Sequence, residues 1–417
     1  MSRAQCRRLR CSGSVLSRRG VRVTGVIAPC RTRVTRGALA HRVCGDIHVT
    51  NSIANNRSFF DHPRCVEGVP VVANVARLPR AVRNLWSVSF GDGIEPPRPA
   101  PDSTVYRRPH AHLRRYDRST PGSGNPVLFV PPLAVTPTCF DLRPGQSLVR
   151  YLIEHGKQPY VIDYGEFTSA DRGLGLEDWT HDIVPTAIRK VADEHGRPVD
   201  VIGWSLGGVL AMMSGAAQAD LPIASIAALA PPLDQRHTPF LGPIRLAGRL
   251  TGGREIAWAT KLMGGIPQEF VRLGFRLQAI DRELSRPLFL ARNAHDTEAL
   301  ARMAAVDRFT ASMPGYPGRS YWQIYRSLIM RNELASGAIR LRSDLTIELA
   351  KLTCRVLLIG SRTDPLVPAA GVRSGIDILS GASEVQFVEV TGGHLGLVVG
   401  PDAPTTTWPA VLEFLDR

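Results

Sequence analysis

The chain has 417 residues, 44% of them hydrophobic and 21% charged, with a formal net charge of +14. That balance describes a globular protein, and no apolar run reaches the roughly 18–20 residues of a membrane-spanning helix. Residues 1–60 hold 12 Arg against the single acid Asp46, so +11 of the charge sits there and +3 is left for everything beyond. Bulk charge therefore argues against a phosphate-tracking face and against nucleic acid as a partner.

Residues 1–65 show no sustained hydrophobic periodicity and lack the apolar stretch of a secretory signal. They read as a disordered basic tail, either targeting-like in its Arg and Ser content or added by a mis-assigned upstream start. Cys6, Cys11, Cys30, Cys44 and Cys65 fall here and only Cys139 and Cys354 later, with no CxxC pair. Those spacings fit neither a zinc module nor a disulfide framework, and a reducing cytoplasm is the expected compartment.

Residues 66–103 are expected to carry one helix and a proline-rich connector. ANVARLPRAVRNLW (73–86) spaces Val75, Leu78, Val82 and Leu85 along one helical face, with Arg77, Arg80 and Arg83 on the others, although Pro79 weakens the pattern. Such a helix packs on the domain edge or lies as a basic amphipathic element against anionic lipid. GDGIEPPRPAPDS is the connector.

From Thr104 to Arg417 strands and helices alternate. Residues 104–116 suit a hairpin, 126–130 a buried strand, 146–155 a helix, 158–163 a strand, 176–194 a helix, 199–203 a buried strand, 205–217 a helix and 223–228 a strand. This rhythm predicts an α/β fold, a mostly parallel sheet with helices on both faces. Between about 232 and 345 the rhythm stops and the chain reads as helices, with apolar faces that include Phe270, Leu273, Phe275, Tyr321, Trp322 and Tyr325. Strands resume at 355–359 and 384–390. The interruption is expected to be a helical cap over the sheet's C-terminal edge, where ligands bind in open α/β folds.

Chemistry concentrates at VIGWSLGG (201–208). A serine hydroxyl attacks only when a base takes its proton, and GxSxG between a strand and a helix lifts that hydroxyl on a tight turn. Gly203, Ser205 and Gly207 fit, but the pattern alone is common. What strengthens it is an acid and a histidine following in order, each just beyond a strand: Asp364 in SRTDPLVP and His394 in TGGHLG. Ser205 is thus the candidate nucleophile, His394 the base and Asp364 the orienting acid. His181 and His237, and Asp234 and Asp377, are rivals with poorer strand context. The oxyanion hole is expected at the backbone N–H of Leu206 and of Leu133, because Pro131 and Pro132 in the loop after the first buried strand have none to give. Leu133 and Trp204, beside the nucleophile, are the expected substrate contacts. No metal cluster, phosphate loop or dinucleotide fingerprint appears, so no cofactor and no metal is implied.

NPVLFVPPLAV, FDLRPGQSLVRYLIEHG, GWSLGG, TDPLVP and GGHLGLVVGP together make residues 104–415 resemble the poly(3-hydroxyalkanoate) synthases and their lipase-like relatives within the α/β-hydrolase superfamily. The resemblance implies the α/β-hydrolase fold and assigns nucleophile, acid and base to Ser205, Asp364 and His394. It departs at one position, since the polymerising synthases carry cysteine where this chain has Ser205. A thiol suits thioester exchange during polymer growth; a serine forms an oxygen ester that water resolves. The expected function is therefore hydrolysis of acyl, lipid-like esters. The alternatives are acyl transfer or polymerisation from hydroxyacyl-CoA, and a noncatalytic protein bound to lipid or granules. Expected partners are an acyl ester or acyl-CoA and a peripheral lipid or granule surface; the oligomeric state is left open.

Overall fold

The computed structural model describes residues 78–90, 94–118, 122, 124–238, 240–278 and 280–417. The tail expected over 1–65, with its five cysteines, lies outside the described residues. Eight strands form one sheet: β1 (Asp102–Tyr106), β2 (His112–Tyr116), β3 (Val127–Val130), β4 (Pro159–Asp163), β5 (Val199–Trp204), β6 (Ile223–Leu229), β7 (Arg355–Ser361) and β8 (Val385–Val390). Their spatial order is β1-β2-β4-β3-β5-β6-β7-β8. β2 runs antiparallel to both its neighbours, and every pair from β4 to β8 is parallel.

The strands in the middle are apolar runs because both faces are covered: all of VLFV in β3 and all of VDVIGW in β5 are buried, as parallel sheets require. One polar residue inside β5, Asp200, is accommodated by the Ser225 hydroxyl of β6, which donates to its Oδ1 at 2.6 Å. From β3 the chain goes outward to β4 on one side and returns to β5 on the other. That reversal opens a crevice at the carboxyl ends of β3 and β5. The loops after β3, β5, β7 and β8 all belong to that rim.

Ahead of the sheet comes α1 (Leu78–Phe90), which meets residues 294–297, and around the sheet lie α2 (Leu148–Glu154), α3 (Val184–His195) and α4 (Leu206–Ala217), the last buried from Leu206 through Ala216. Pro79 sits in the first turn of α1, where a missing N–H costs no helical bond. The described part of α1 does not turn its expected face inward: Val82 is exposed, and Asn84 is the buried contact, donating to the Ala294 carbonyl at 3.1 Å. The single helix expected over 176–194 is interrupted by a π-helical turn at Trp179–Ile183. Pro185 explains it, since it cannot bond the carbonyl of His181 four residues back; that carbonyl instead accepts from Gln218 Nε2 at 3.0 Å.

The insertion after β6 contains α5 (Leu241–Thr251), α6 (Arg254–Met263), α7 (Gln268–Gln278), α8 (Ile280–Asn293) and α9 (Thr297–Ala311). It is not wholly helical. Ala338–Arg342 and Leu345–Glu348 form an antiparallel hairpin near its end. IRLR and LTIE alternate apolar and polar residues at a period of two, a strand signal at 339–348 that the helical reading of the segment overlooked. Beyond β8, α10 (Thr407–Leu415) closes the chain. No described helix is long and apolar enough to cross a membrane.

Candidate active site

Ser205 follows β5 directly and precedes α4, with φ 52 and ψ −125. A non-glycine residue at positive φ is strained, and the turn survives because its neighbours lack side chains. A Cβ on Gly203 would come within 2.5 Å of the Gly208 Cα, and one on Gly207 would overlap the carbonyl oxygen of Val130. The glycines let α4 press against β5 and β3, and the Ser205 N–H is tied to the Leu229 carbonyl at 2.7 Å. Ser205 is left half-buried at the head of a buried helix.

Two other loops reach this hydroxyl. His394 Nε2 lies 2.9 Å from Ser205 Oγ, and His394 Nδ1 lies 2.7 Å from Asp364 Oδ2. The other carboxylate oxygen of Asp364 accepts from the backbone N–H groups of Leu366 at 2.8 Å and Val367 at 3.0 Å. Pro365 has no N–H, so those two are the first donors the turn offers. The Asp364 side chain is fully buried and that of His394 is 10% exposed. Because a carboxylate only accepts, the ring proton belongs on Nδ1, and Nε2 faces the serine with its lone pair.

The sequence did not single out the residues that hold these loops together. At the end of β7 the Ser361 hydroxyl donates to the Gly392 carbonyl, and Gly392 N–H donates to Thr363 Oγ1 at 3.1 Å. Gly392 has φ 116, a conformation in which a side chain would be strained. Trp204 Nε1 donates to the His394 carbonyl at 3.0 Å, its ring lies 5.2 Å from the imidazole, and the Phe309 ring of α9 lies 6.5 Å from it. Trp204 is 1% exposed. The two expected substrate contacts, Trp204 and Leu133, are both buried, and the Trp204 indole ties the His394 loop to the end of β5.

Leu206 opens α4, so its N–H is one of the helix-terminal donors without an intrahelical acceptor. Leu133 lies fully buried in the loop after β3, followed by Ala134 at φ 59. The rivals lie elsewhere: His181 Nδ1 pairs with the Thr180 hydroxyl at 2.9 Å, Asp377 sits in the short helix Gly375–Ile378, and His237 lies 3.7 Å from Asp234. Burial opposes ionisation of Asp234, but hydrogen bonds from the side chain and backbone of Arg236 and from Asn332 outweigh it and hold the carboxyl well below its ordinary range. Asp234 thereby joins the base of the insertion to the loop after β6. Among the described residues no group of three or more His, Cys, Asp or Glu is arranged to hold a metal ion.

FDLRPGQSLVRYL proves to be a set of ties. Asp141 accepts from the Ala100 N–H at 2.5 Å, Arg143 pairs with Glu298 of α9 at 2.9 Å and with Glu95 at 3.1 Å, and Gln146 Nε2 donates to the Val399 carbonyl at 3.2 Å. One short stretch so connects the proline-rich connector, the insertion and the segment after His394.

Residues 127–407 match the family model described as alpha/beta hydrolase family. The chain belongs to that family. This alpha/beta hydrolase family member is similar to the poly(3-hydroxyalkanoate) polymerase subunit PhaC of Haloferax mediterranei, 25% identical over 327 residues that span 75% of this chain and 63% of the relative. The corresponding subunit of Allochromatium vinosum is 24% identical over 323 residues, spanning 76% of this chain and 89% of that protein. Among solved structures, the monoacylglycerol lipase of Paleococcus ferrophilus aligns with a TM-score of 0.45 at 17% identity, covering 73% of this chain and 98% of that one.

Proposed function

We propose that the protein is a serine hydrolase of acyl esters, lipid-like ones among them. The observation that carries this reading is the continuous hydrogen-bonded chain from the sealed Asp364 carboxylate through His394 to a hydroxyl held at φ 52. In this mechanism His394 Nε2 takes the Ser205 proton as Oγ attacks the ester carbonyl. The N–H groups of Leu206 and Leu133 receive the developing oxyanion. The imidazolium, stabilised by Asp364, then protonates the departing alcohol, leaving an acyl-enzyme. A water activated by the same nitrogen releases the acid and restores Ser205.

A second reading, acyl transfer from hydroxyacyl-CoA to a growing ester, draws its support from the relatives named as polymerases. At Ser205 it would proceed through an oxygen ester as well. Burial opposes ionisation of the two cysteines among the described residues, pushing the Cys139 thiol far up and that of Cys354 up to about 12. Product analysis separates the readings. Incubation with acyl esters of graded length and with 3-hydroxyacyl-CoA is expected to yield free acid, with acyl transiently on Ser205. Ester-linked oligomers accompanied by little free acid would transfer the case to the second reading.

A further inference from the structure

Helices of the insertion turn apolar side chains outward in a repeating way. Leu246 and Leu250 on α5, Trp258 and Leu262 on α6, and Phe270 and Leu273 on α7 are each 50–80% exposed, and α8 repeats the arrangement. Every pair is three or four residues apart, which puts its two members on one face of its helix. In a globular domain that stripe ordinarily meets the core. Of the 14 large hydrophobic residues that are exposed among the described ones, 11 fall between 240 and 288, so the exposure belongs to this segment and is not scattered as on an ordinary surface.

The same segment is basic. Residues 240–293 contain nine Arg and Lys against four Asp and Glu, a surplus of five, whereas the rest of residues 61–417 carries a net −2. Arg249, Arg254 and Arg292 are exposed and have no carboxylate partner among the described residues. Charge decides between occupants. A second copy would bring like charges together, and the Arg-rich first 60 residues have the same sign. An anionic surface matches.

We propose that α5–α8 form a docking face for an anionic phospholipid surface. The apolar pairs enter the boundary between headgroups and acyl chains, and the arginines meet the lipid phosphates. Trp258, large and amphipathic, is suited to that boundary. This face is independent of what Ser205 does.

The test floats the full-length chain with vesicles of phosphatidylcholine alone and of phosphatidylcholine mixed with phosphatidylglycerol. Binding is expected to be at least about 10-fold greater with the anionic vesicles and to weaken with salt. The combined variant Leu250→Gln, Trp258→Gln, Leu262→Gln is expected to lose about 10-fold in partitioning while its thermal melt is unchanged, although the N-terminal arginines are all retained. Brominated lipid should quench a component of the wild-type fluorescence that Trp258→Phe lacks, a readout that does not depend on the harsher variant folding. The proposal is overturned if the combined variant floats as well as wild type, which would assign binding to the N-terminal arginines. It is equally overturned if quenching is the same with and without Trp258, or if wild type is a dimer that ignores vesicles and that the combined variant splits.

Discussion

β5 buries all six of its residues, while α5, α6 and α7 each leave a pair of large apolar side chains 50–80% exposed. The sheet half of the molecule is complete in itself: its apolar residues find partners within the chain, and its loops meet in a site whose polar groups are mutually satisfied. The insertion meets the sheet half through α9, where Phe309 and Glu298 reach it, and again through Gln323 and Asn332 nearer its end, while α5–α8 keep their apolar pairs exposed. The candidate site and the exposed apolar faces thus lie on different parts of the chain, joined by polar ties and by apolar contacts such as Phe309 with Trp204.

That division breaks most sharply at Ser205. Ser205→Ala or His394→Ala is expected to lower kcat about 10³-fold or more with the melting temperature unchanged; a loss of a few fold would detach the chemistry from the sheet rim. Next is the scaffold beneath it. Gly207→Ala places a Cβ against the Val130 carbonyl, so α4 must shift, and kcat is expected to fall about 100-fold with a lowered melting temperature. Trp204→Phe keeps an aromatic ring, though a smaller one, and deletes the bond to the His394 carbonyl; kcat should drop about 10-fold with KM little changed. A changed KM profile across substrates, with kcat kept, would make Trp204 a substrate contact instead.

The ties between the halves have smaller effects. Arg143→Met removes the pairing with Glu298 and Glu95, and urea denaturation is expected to show a loss of about 1–2 kcal/mol with kcat within about twofold of wild type. Asp234→Asn tests the junction by pH. A carboxyl held below its ordinary value adds stability that is complete above the unfolded value of about 3.9 and is lost as pH falls below it. The variant should therefore melt a few degrees lower at neutral pH and show a shallower decline on acidification than wild type. Parallel declines would remove Asp234 as a tie.

The sheet half was readable from sequence because its signals are local and strong. Four- to six-residue apolar runs between turn residues mark β3 and β5, and positions just past β7 and β8 pointed to Asp364 and His394. What escaped was the network that holds the loops, since Ser361, Thr363 and Gly392 are ordinary loop residues whose partners lie about 30 positions away. The bond from the Trp204 indole to the His394 carbonyl was not legible for a related reason, since its partners lie 190 positions apart. In the insertion, periodicity predicts helices but not which face is covered, and the hairpin at 338–348 was lost within a stretch read as uniformly helical.

Activation of Ser205 as a nucleophile is read by intact-mass measurement after exposure to an alkyl fluorophosphonate. The account predicts a single adduct, mapped by peptide sequencing to Ser205, and none on folded His394→Ala over the same interval. Folded wild-type protein that stays unlabelled, or an adduct on another residue, would contradict it.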